Sequence, residues 1–184
     1  MPQMLTFPKR DVPLHIACQI RSYQRMQWPQ SFSSAGKIWD LSPAAQRGTV
    51  FVFMEDETLL SHVEVNQRPL ELHGTRLNVY GISSVFTYPP QRGRGLAAQL
   101  VGAASEYIRG SDADVAMLFC GERVSSLYRR CGWKHITPPR IMFGPLHAPQ
   151  EYRDVLMMLF VSPLGQRMLE ALSSQPLHVG ERTW

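Results

Sequence analysis

The thirteen residues Val85-Phe86-Thr87-Tyr88-Pro89-Pro90-Gln91-Arg92-Gly93-Arg94-Gly95-Leu96-Ala97 constrain this chain more than any other stretch. A β-prone run meets two prolines, which cannot donate to a sheet ladder, so the strand must stop there. Two glycines follow. Leu96, Leu100, Ala104 and Tyr107 then recur at helical spacing until Gly110 closes the helix. A strand, a glycine turn and a helix in this order gather backbone amides at a helix N-terminus, where partial positive charge collects. Such a turn can cradle a phosphate, because glycine lets the backbone come close and Arg92 and Arg94 can add charge-assisted bonds. The same residues also suit a turn that only caps a helix. Two nucleotide motifs are excluded: a Walker loop needs Gly-Lys-Ser/Thr, and a dinucleotide fingerprint needs glycine where Ala98 stands.

Around this segment the chain reads as a mixed α/β fold in a single domain, residues 1–184. Asp11-Val12-Pro13 starts a helix that carries Ile16, Ile20 and Tyr23 at helical spacing and ends at Trp28-Pro29; a short helix or loop follows from Phe32 to Trp39. Thr49–Met54 and Leu59–Asn66 are strands flanking a Glu55-Asp56-Glu57 turn, and Leu70–His73 and Arg76–Thr87 form a hairpin across Gly74. Val115–Phe119 is a buried strand, Val124–Arg130 a short helix, Val155–Val161 a last strand, and Gly165–Leu172 a helix.

Composition removes several function classes. Of the residues, 44% are hydrophobic and 18% charged, ordinary for a globular protein and not for a disordered one. The net charge of +4 is spread without a dense basic cluster, so nucleic acid is not the expected partner and a polyanionic cofactor suits it as well. Three scattered cysteines argue for a reducing compartment, and with no 18-residue apolar run and no apolar core in Met1–Arg10, a cytoplasmic, membrane-free protein is expected. The six histidines show no metal-ligand spacing, so no metal is expected.

Arg92, Gly95 and Ala97 fit R-x-x-G-x-G/A, and Leu127-Tyr128-Arg129-Arg130-Cys131-Gly132-Trp133 fits L-Y-x-x-x-G-F/W. Together, at this spacing, the two blocks resemble those of the GNAT acetyltransferases over Thr49–Trp133. The resemblance implies a central, largely antiparallel mixed sheet flanked by helices, with a splayed strand pair holding acetyl-CoA. It implies pyrophosphate binding by Arg92, Gly93, Arg94, Gly95, Leu96 and Ala97, and backbone pairing of the pantetheine arm with Val85, Phe86 and Thr87. A bulge near Gly81 would splay that strand. Within the superfamily the chain is most similar to aminoglycoside 2'-N-acetyltransferases, through Gln67-Arg68, Leu70, Ser126-Leu127-Tyr128 and the terminal Trp184. The narrower branch is one acting on kasugamycin, whose carboxylate would suit Arg182.

Acetyl transfer needs a neutral amine held against a thioester, a donor for the developing oxyanion, and an acid for the leaving thiolate. The resemblance gives Tyr128 the acid role; the alternative is a core tyrosine. Related aminoglycoside enzymes carry a glutamate where Ser83 stands, so the base is open: Ser83 or Ser84 can hold a water, and Glu64 is either a substitute or an exposed strand residue. Cys120 and Cys131 read first as buried small residues and only secondarily as acetyl carriers. A polycationic acceptor would want carboxylates, for which Glu151, Asp154, Glu181 and the Trp184 terminus are candidates, with Asp40 weaker; Trp28, Trp39 and Trp184 could wall sugar rings. The expected activity is resistance-conferring acetylation of an aminoglycoside, and a homodimer is compatible with it. The rival readings are a GNAT enzyme for protein or small-metabolite amines, and a non-catalytic acetyl-CoA-binding module.

Overall fold

The computed structural model describes residues 1–32 and 47–180. The element proposed for Phe32–Trp39 therefore lies mostly outside the described residues, as do Asp40, Glu181, Arg182 and Trp184. The described residues form two compact units, 1–32 and 47–66 with 83–104, and 67–82 with 105–180. The strands of the larger sheet are hydrogen-bonded in the order β1-β2-β3-β4-β5-β9-β6, where these are Gln3–Pro8, Gly48–Glu55, Thr58–Leu72, Thr75–Thr87, Val115–Cys120, Val155–Phe160 and Lys134–Ile136. The pairs β1–β2, β2–β3, β5–β9 and β6–β9 are antiparallel, and β4–β5 is parallel. This is the mixed, largely antiparallel sheet flanked by helices that the sequence implied.

In the first unit, α1 (Leu14–Gln27) lays Ile16 and Ile20 on Val50, Val52, Met54 and Leu59 of the sheet. The helix begins one residue after Pro13, whose fixed φ and missing amide suit a helix start. α2 (Leu96–Arg109) begins in this unit at the glycine turn. Along it Leu100, Val101, Ala104 and Ile108 are fully buried, whereas Tyr107 is 42% exposed. Tyr107 therefore lies off the apolar face, which Ile108 completes at the i+4 step from Ala104.

In the second unit the β3–β4 hairpin closes through His73 and Gly74 with φ of 50° and 74°, the left-handed pair that a two-residue hairpin loop needs. A core of Leu72, Leu77, Val79, Val115, Met117, Leu156 and Met158 lies beneath it. α3 (Glu122–Arg130) contacts β6 and β9. The helix expected over Gly165–Leu172 is instead two short ones, α4 (Pro163–Arg167) and α5 (Leu169–Ser174), with Met168 between them. Pro163 opens α4 after Ser162, whose Oγ accepts from the Gly165 amide at 3.0 Å. A small sheet in the order β10-β7-β8 (Leu177–His178, Ile141–Phe143, Gln150–Tyr152) was not foreseen, because strands of two or three residues leave no periodicity to read.

Candidate active site

β4 pairs with β5 only over Val79–Gly81, matched to Val115–Met117, although β4 itself continues to Thr87. The irregularity expected near Gly81 falls three residues later. Ser84 has φ of 54°, a left-handed conformation that is costly for a residue with a Cβ, while Gly81 keeps its place in the ladder. Of the residues expected to pair with pantetheine, Phe86 is buried and its carbonyl accepts from Ser61 Oγ at 2.8 Å. The Thr87 carbonyl accepts from Arg92 Nε at 3.1 Å, and Val85 is half-buried.

The turn after β4 carries two left-handed glycines. Gly93 and Gly95 have φ of 80° and 76°, which glycine adopts without strain, and Arg92 to Gly95 are all exposed. No heavy atom lies within 4 Å of a Cβ placed on Gly93, and on Gly95 only Gln99 Nε2 does, at 4.0 Å. The glycines are thus demanded by backbone conformation, and the space above them is open. The Gly95 carbonyl accepts from the Gln99 amide at 3.1 Å, so α2 starts there, with no acidic residue in its first turn. An uncancelled helix N-terminus flanked by two arginines fits a pyrophosphate.

The two arginines differ. Arg92 lies over the Phe86 ring at 5.8 Å and bonds Thr87, which ties the turn back to its own strand. Arg94 bonds only the neighbouring Gln91 side chain among its described hydrogen bonds, so it is the freer to meet a ligand.

Ser83 and Ser84 are half-buried, and their hydroxyls accept from Asn66 and Gln24. Glu64, taken in the sequence as an exposed strand residue or a substitute base, is 7% exposed and paired with Lys9 Nζ at 2.6 Å. Burial alone would raise its pKa; Lys9 overcomes this and the pKa falls, so Glu64 stays ionised. Its partner Gln24 was missed, although it continues the Ile16–Ile20 stripe at the i+4 step, where a polar residue signals a buried hydrogen bond. His62, two residues earlier on β3, is fully buried, and neither ring nitrogen has a hydrogen-bond partner among the described residues. Its pKa falls to about 4, chiefly through burial, and it is neutral at pH 7.

In the second unit, Tyr128 is 5% exposed on α3 and stands edge-on to Trp133, with ring centroids 6.4 Å apart. Burial, helped by the nearby Cys120 and Cys131 thiols, raises its pKa well above the usual tyrosine range. The phenol is therefore always protonated, a permanent donor and a weaker acid than an exposed tyrosine. Cys120 is pushed up to about 11, by burial first and then by Asp154 and Glu122, and burial raises Cys131 too. Both thiols stay protonated, against a covalent acetyl-cysteine.

The second block also has a structural reason. Gly132 has φ of 86°, and the Cys131 and Trp133 amides both donate to the Tyr128 carbonyl, at 2.9 and 3.2 Å. The chain turns sharply and returns Trp133 to the core, where its Nε1 donates to Ser105 Oγ at 2.8 Å.

Glu151 on β8 and Asp154 before β9 come together with Glu122 at a cavity of about 500 Å³, also lined by Tyr152, His135, Arg140 and Arg153. Glu122 and Tyr152 were not foreseen there. Trp28 is half-buried; Trp39 lies outside the described residues, with Glu181 and Trp184. No group of metal-ligating side chains occurs among the described residues, and no described helix is long and apolar enough to cross a membrane.

Residues 7–136 match the family model of the GNAT acetyltransferase domain. The chain is thus a member of the GNAT acetyltransferases, enzymes that transfer an acetyl group from acetyl-CoA, which is its co-substrate. Solved structures share the fold at low identity. A GNAT family acetyltransferase from Brucella melitensis, in complex with acetyl-CoA, has a TM-score of 0.57 at 21% identity, over 88% of this chain and 90% of its own. An aminoglycoside 6'-N-acetyltransferase complexed with coenzyme A has a TM-score of 0.59 at 13% identity, over 88% and 98%. A conserved protein from Enterococcus faecalis V583, described as a probable N-acyltransferase, has a TM-score of 0.60 at 18% identity over 74% of this chain, which spans only 33% of that protein. No curated protein matches the sequence.

Proposed function

We propose that the protein acetylates a primary amine of an aminoglycoside or similar aminosugar, using acetyl-CoA. The observation that carries the donor side is the open, left-handed Gly93–Gly95 turn at the head of an acid-free helix. Acetyl-CoA supplies the thioester. Arg92 and the turn hold its phosphates, and the strand Val85–Thr87 receives its arm. Tyr128, kept protonated by burial, gives its hydrogen bond and then its proton to the departing thiolate, while the amine loses one proton to a base, which we assign to a water held by Ser83 or Ser84.

The acceptor side rests on the cavity carrying Glu122, Glu151 and Asp154, three carboxylates that suit an ammonium-bearing ligand. Arg140 and Arg153 line the same cavity, and Arg153 Nη2 lies 3.6 Å from Glu151 Oε2, so a ligand carrying both amine and carboxylate suits it as well. That mixture is compatible with the narrower reading, a 2'-amine in the kasugamycin branch. It equally supports a second one, a small metabolite or protein amine.

A thiol-release assay with acetyl-CoA against a panel of aminoglycosides including kasugamycin, amino acids and peptides tests the proposal. Turnover with aminosugars supports it. Turnover confined to peptides or metabolites replaces it with the second reading, and turnover with none leaves a non-catalytic acetyl-CoA-binding module.

A further inference from the structure

Adjacent residues of a strand point to opposite faces, yet Ser83 and Ser84 are both drawn into one hydrogen-bonded circuit. Ser83 Oγ accepts from Asn66 Nδ2 at 2.6 Å, and Asn66 Oδ1 accepts from Lys9 Nζ at 2.6 Å. Lys9 pairs with Glu64 at 2.6 Å, Gln24 Nε2 donates to Glu64 Oε1 at 2.5 Å, and the same Nε2 donates to Ser84 Oγ at 2.9 Å. The circuit closes on the two serines. It is possible only because Ser84 is left-handed, with φ of 54°, which turns its hydroxyl away from the alternation.

We propose that this circuit, anchored on buried Glu64 and its half-buried partner Lys9, is a positioning device that sets the Ser84 bulge and so the direction of Val85–Thr87. Glu64 and Gln24 are thus positioning residues and not the base. The physical argument is one of cost. An ionised, buried carboxylate is retained only where it is paired and bonded, and a left-handed serine persists only where its surroundings fix it. Each expense accounts for the other here: Gln24 uses its one amide nitrogen to join the fixed carboxylate to the strained serine. A serine free of the circuit would relax towards ordinary extended backbone, and the strand beyond it would lose its set. Neutral His62 stands beside Glu64 on the same strand and offers no proton at pH 7, so the circuit's charge balance is that of Lys9 and Glu64, with Arg21 on α1 as the further cation acting on Glu64.

The inference rests on the assignment of β4 to the acetyl-CoA arm, and two readouts keep the two apart. In the ligand-free protein, hydrogen–deuterium exchange of residues 82–88 reports the bulge itself. Acetyl-CoA titration then reports its consequence. Gln24→Leu, which keeps the volume and removes the bonds to Glu64 and Ser84 along with the one Gln24 Oε1 accepts from Arg21, and Asn66→Ala, which frees Ser83 and takes one bond from Lys9, are compared with Ile16→Val, a core change in α1 away from the circuit. The expected result is faster exchange confined to 82–88 in both circuit variants, with affinity for acetyl-CoA lower on the order of ten-fold, as for a slightly misplaced binding element. Ile16→Val should change neither. Unchanged exchange at 82–88 in folded variants overturns the device, as does an equal effect from Ile16→Val. Faster exchange with unchanged affinity overturns its link to the cofactor. Failure of the wild type to bind acetyl-CoA overturns the assignment of β4 and that link together, and the exchange data alone then judge the circuit.

Discussion

Arg109 Nη2 donates to the carbonyl of Cys131 at 2.5 Å, so the last turn of α2 holds the chain where α3 ends. Beside that contact sits Gly132, and a Cβ there would stand 2.6 Å from Arg109 Nη2 at a φ of 86°. The guanidinium can move aside, but only by giving up Cys131. Gly132→Ala should therefore destabilise the fold by about 1–2 kcal/mol from the left-handed backbone, plus about 1 kcal/mol for the lost bond. Urea unfolding checks this, and a stability within a few tenths of wild type would deny the glycine its conformational role.

The cofactor turn separates charge from backbone strain. Gly95→Asn and Gly95→Asp face the same positive φ, which both side chains tolerate better than most, and only aspartate adds a negative charge. Titration with acetyl-CoA should show the aspartate variant binding at least about ten-fold more weakly than the asparagine one, equivalent to ~1.4 kcal/mol. Equal affinities would remove the phosphates from this turn.

Tyr128→Phe should leave acetyl-CoA affinity nearly intact and lower kcat by ~10²- to 10⁴-fold, because the hydroxyl is used only as the thiolate departs. The ring's edge-on packing on Trp133 survives the change, so folding should be spared. A kcat within two-fold of wild type would return Tyr128 to a core residue.

Stability should depend on pH through His62. Its pKa falls from 6.5 in the unfolded chain to about 4 in the fold, so between those values the unfolded chain binds more protons. The contribution is fully present above about pH 6.5 and is lost as pH drops towards 4. From neutral pH to pH 5 the loss is about 2 kcal/mol. Urea unfolding of wild type and His62→Phe at several pH values should show a shallower acid slope for the variant; parallel slopes would mean that His62 does not titrate on unfolding.

Glu151→Gln and Asp154→Asn should each raise KM for a polycationic amine about two- to five-fold at low salt, with KM for acetyl-CoA unchanged. The effect should shrink as ionic strength rises. Steady-state kinetics at two salt concentrations test it, and an unchanged amine KM would move the acceptor elsewhere.

Local signals carried much of this protein. Prolines at 89 and 90, glycines at 93 and 95 and the 3.6-residue stripe from Leu96 mark a strand end, a turn and a helix start through short-range sterics, and the helix bounds Leu96–Arg109 appear in the structure as read. The L-Y-x-x-x-G-W block likewise encodes its own left-handed exit at Gly132. What the sequence left open depends on partners far along the chain. Glu64 reads as a solvated strand residue until Lys9, 55 positions earlier by numbering, and Gln24 close over it. The left-handed residue falls at Ser84, beyond the expected Gly81, because the bonds that hold it come from α1 and β3, and serine has no intrinsic preference to announce it. Glu122, Glu151 and Asp154 are scattered carboxylates in sequence that meet at one cavity only once β8, β9 and α3 are placed. Backbone punctuation is local and therefore legible; a buried charge and a composite cavity are set by long-range packing, which only the tertiary structure decides.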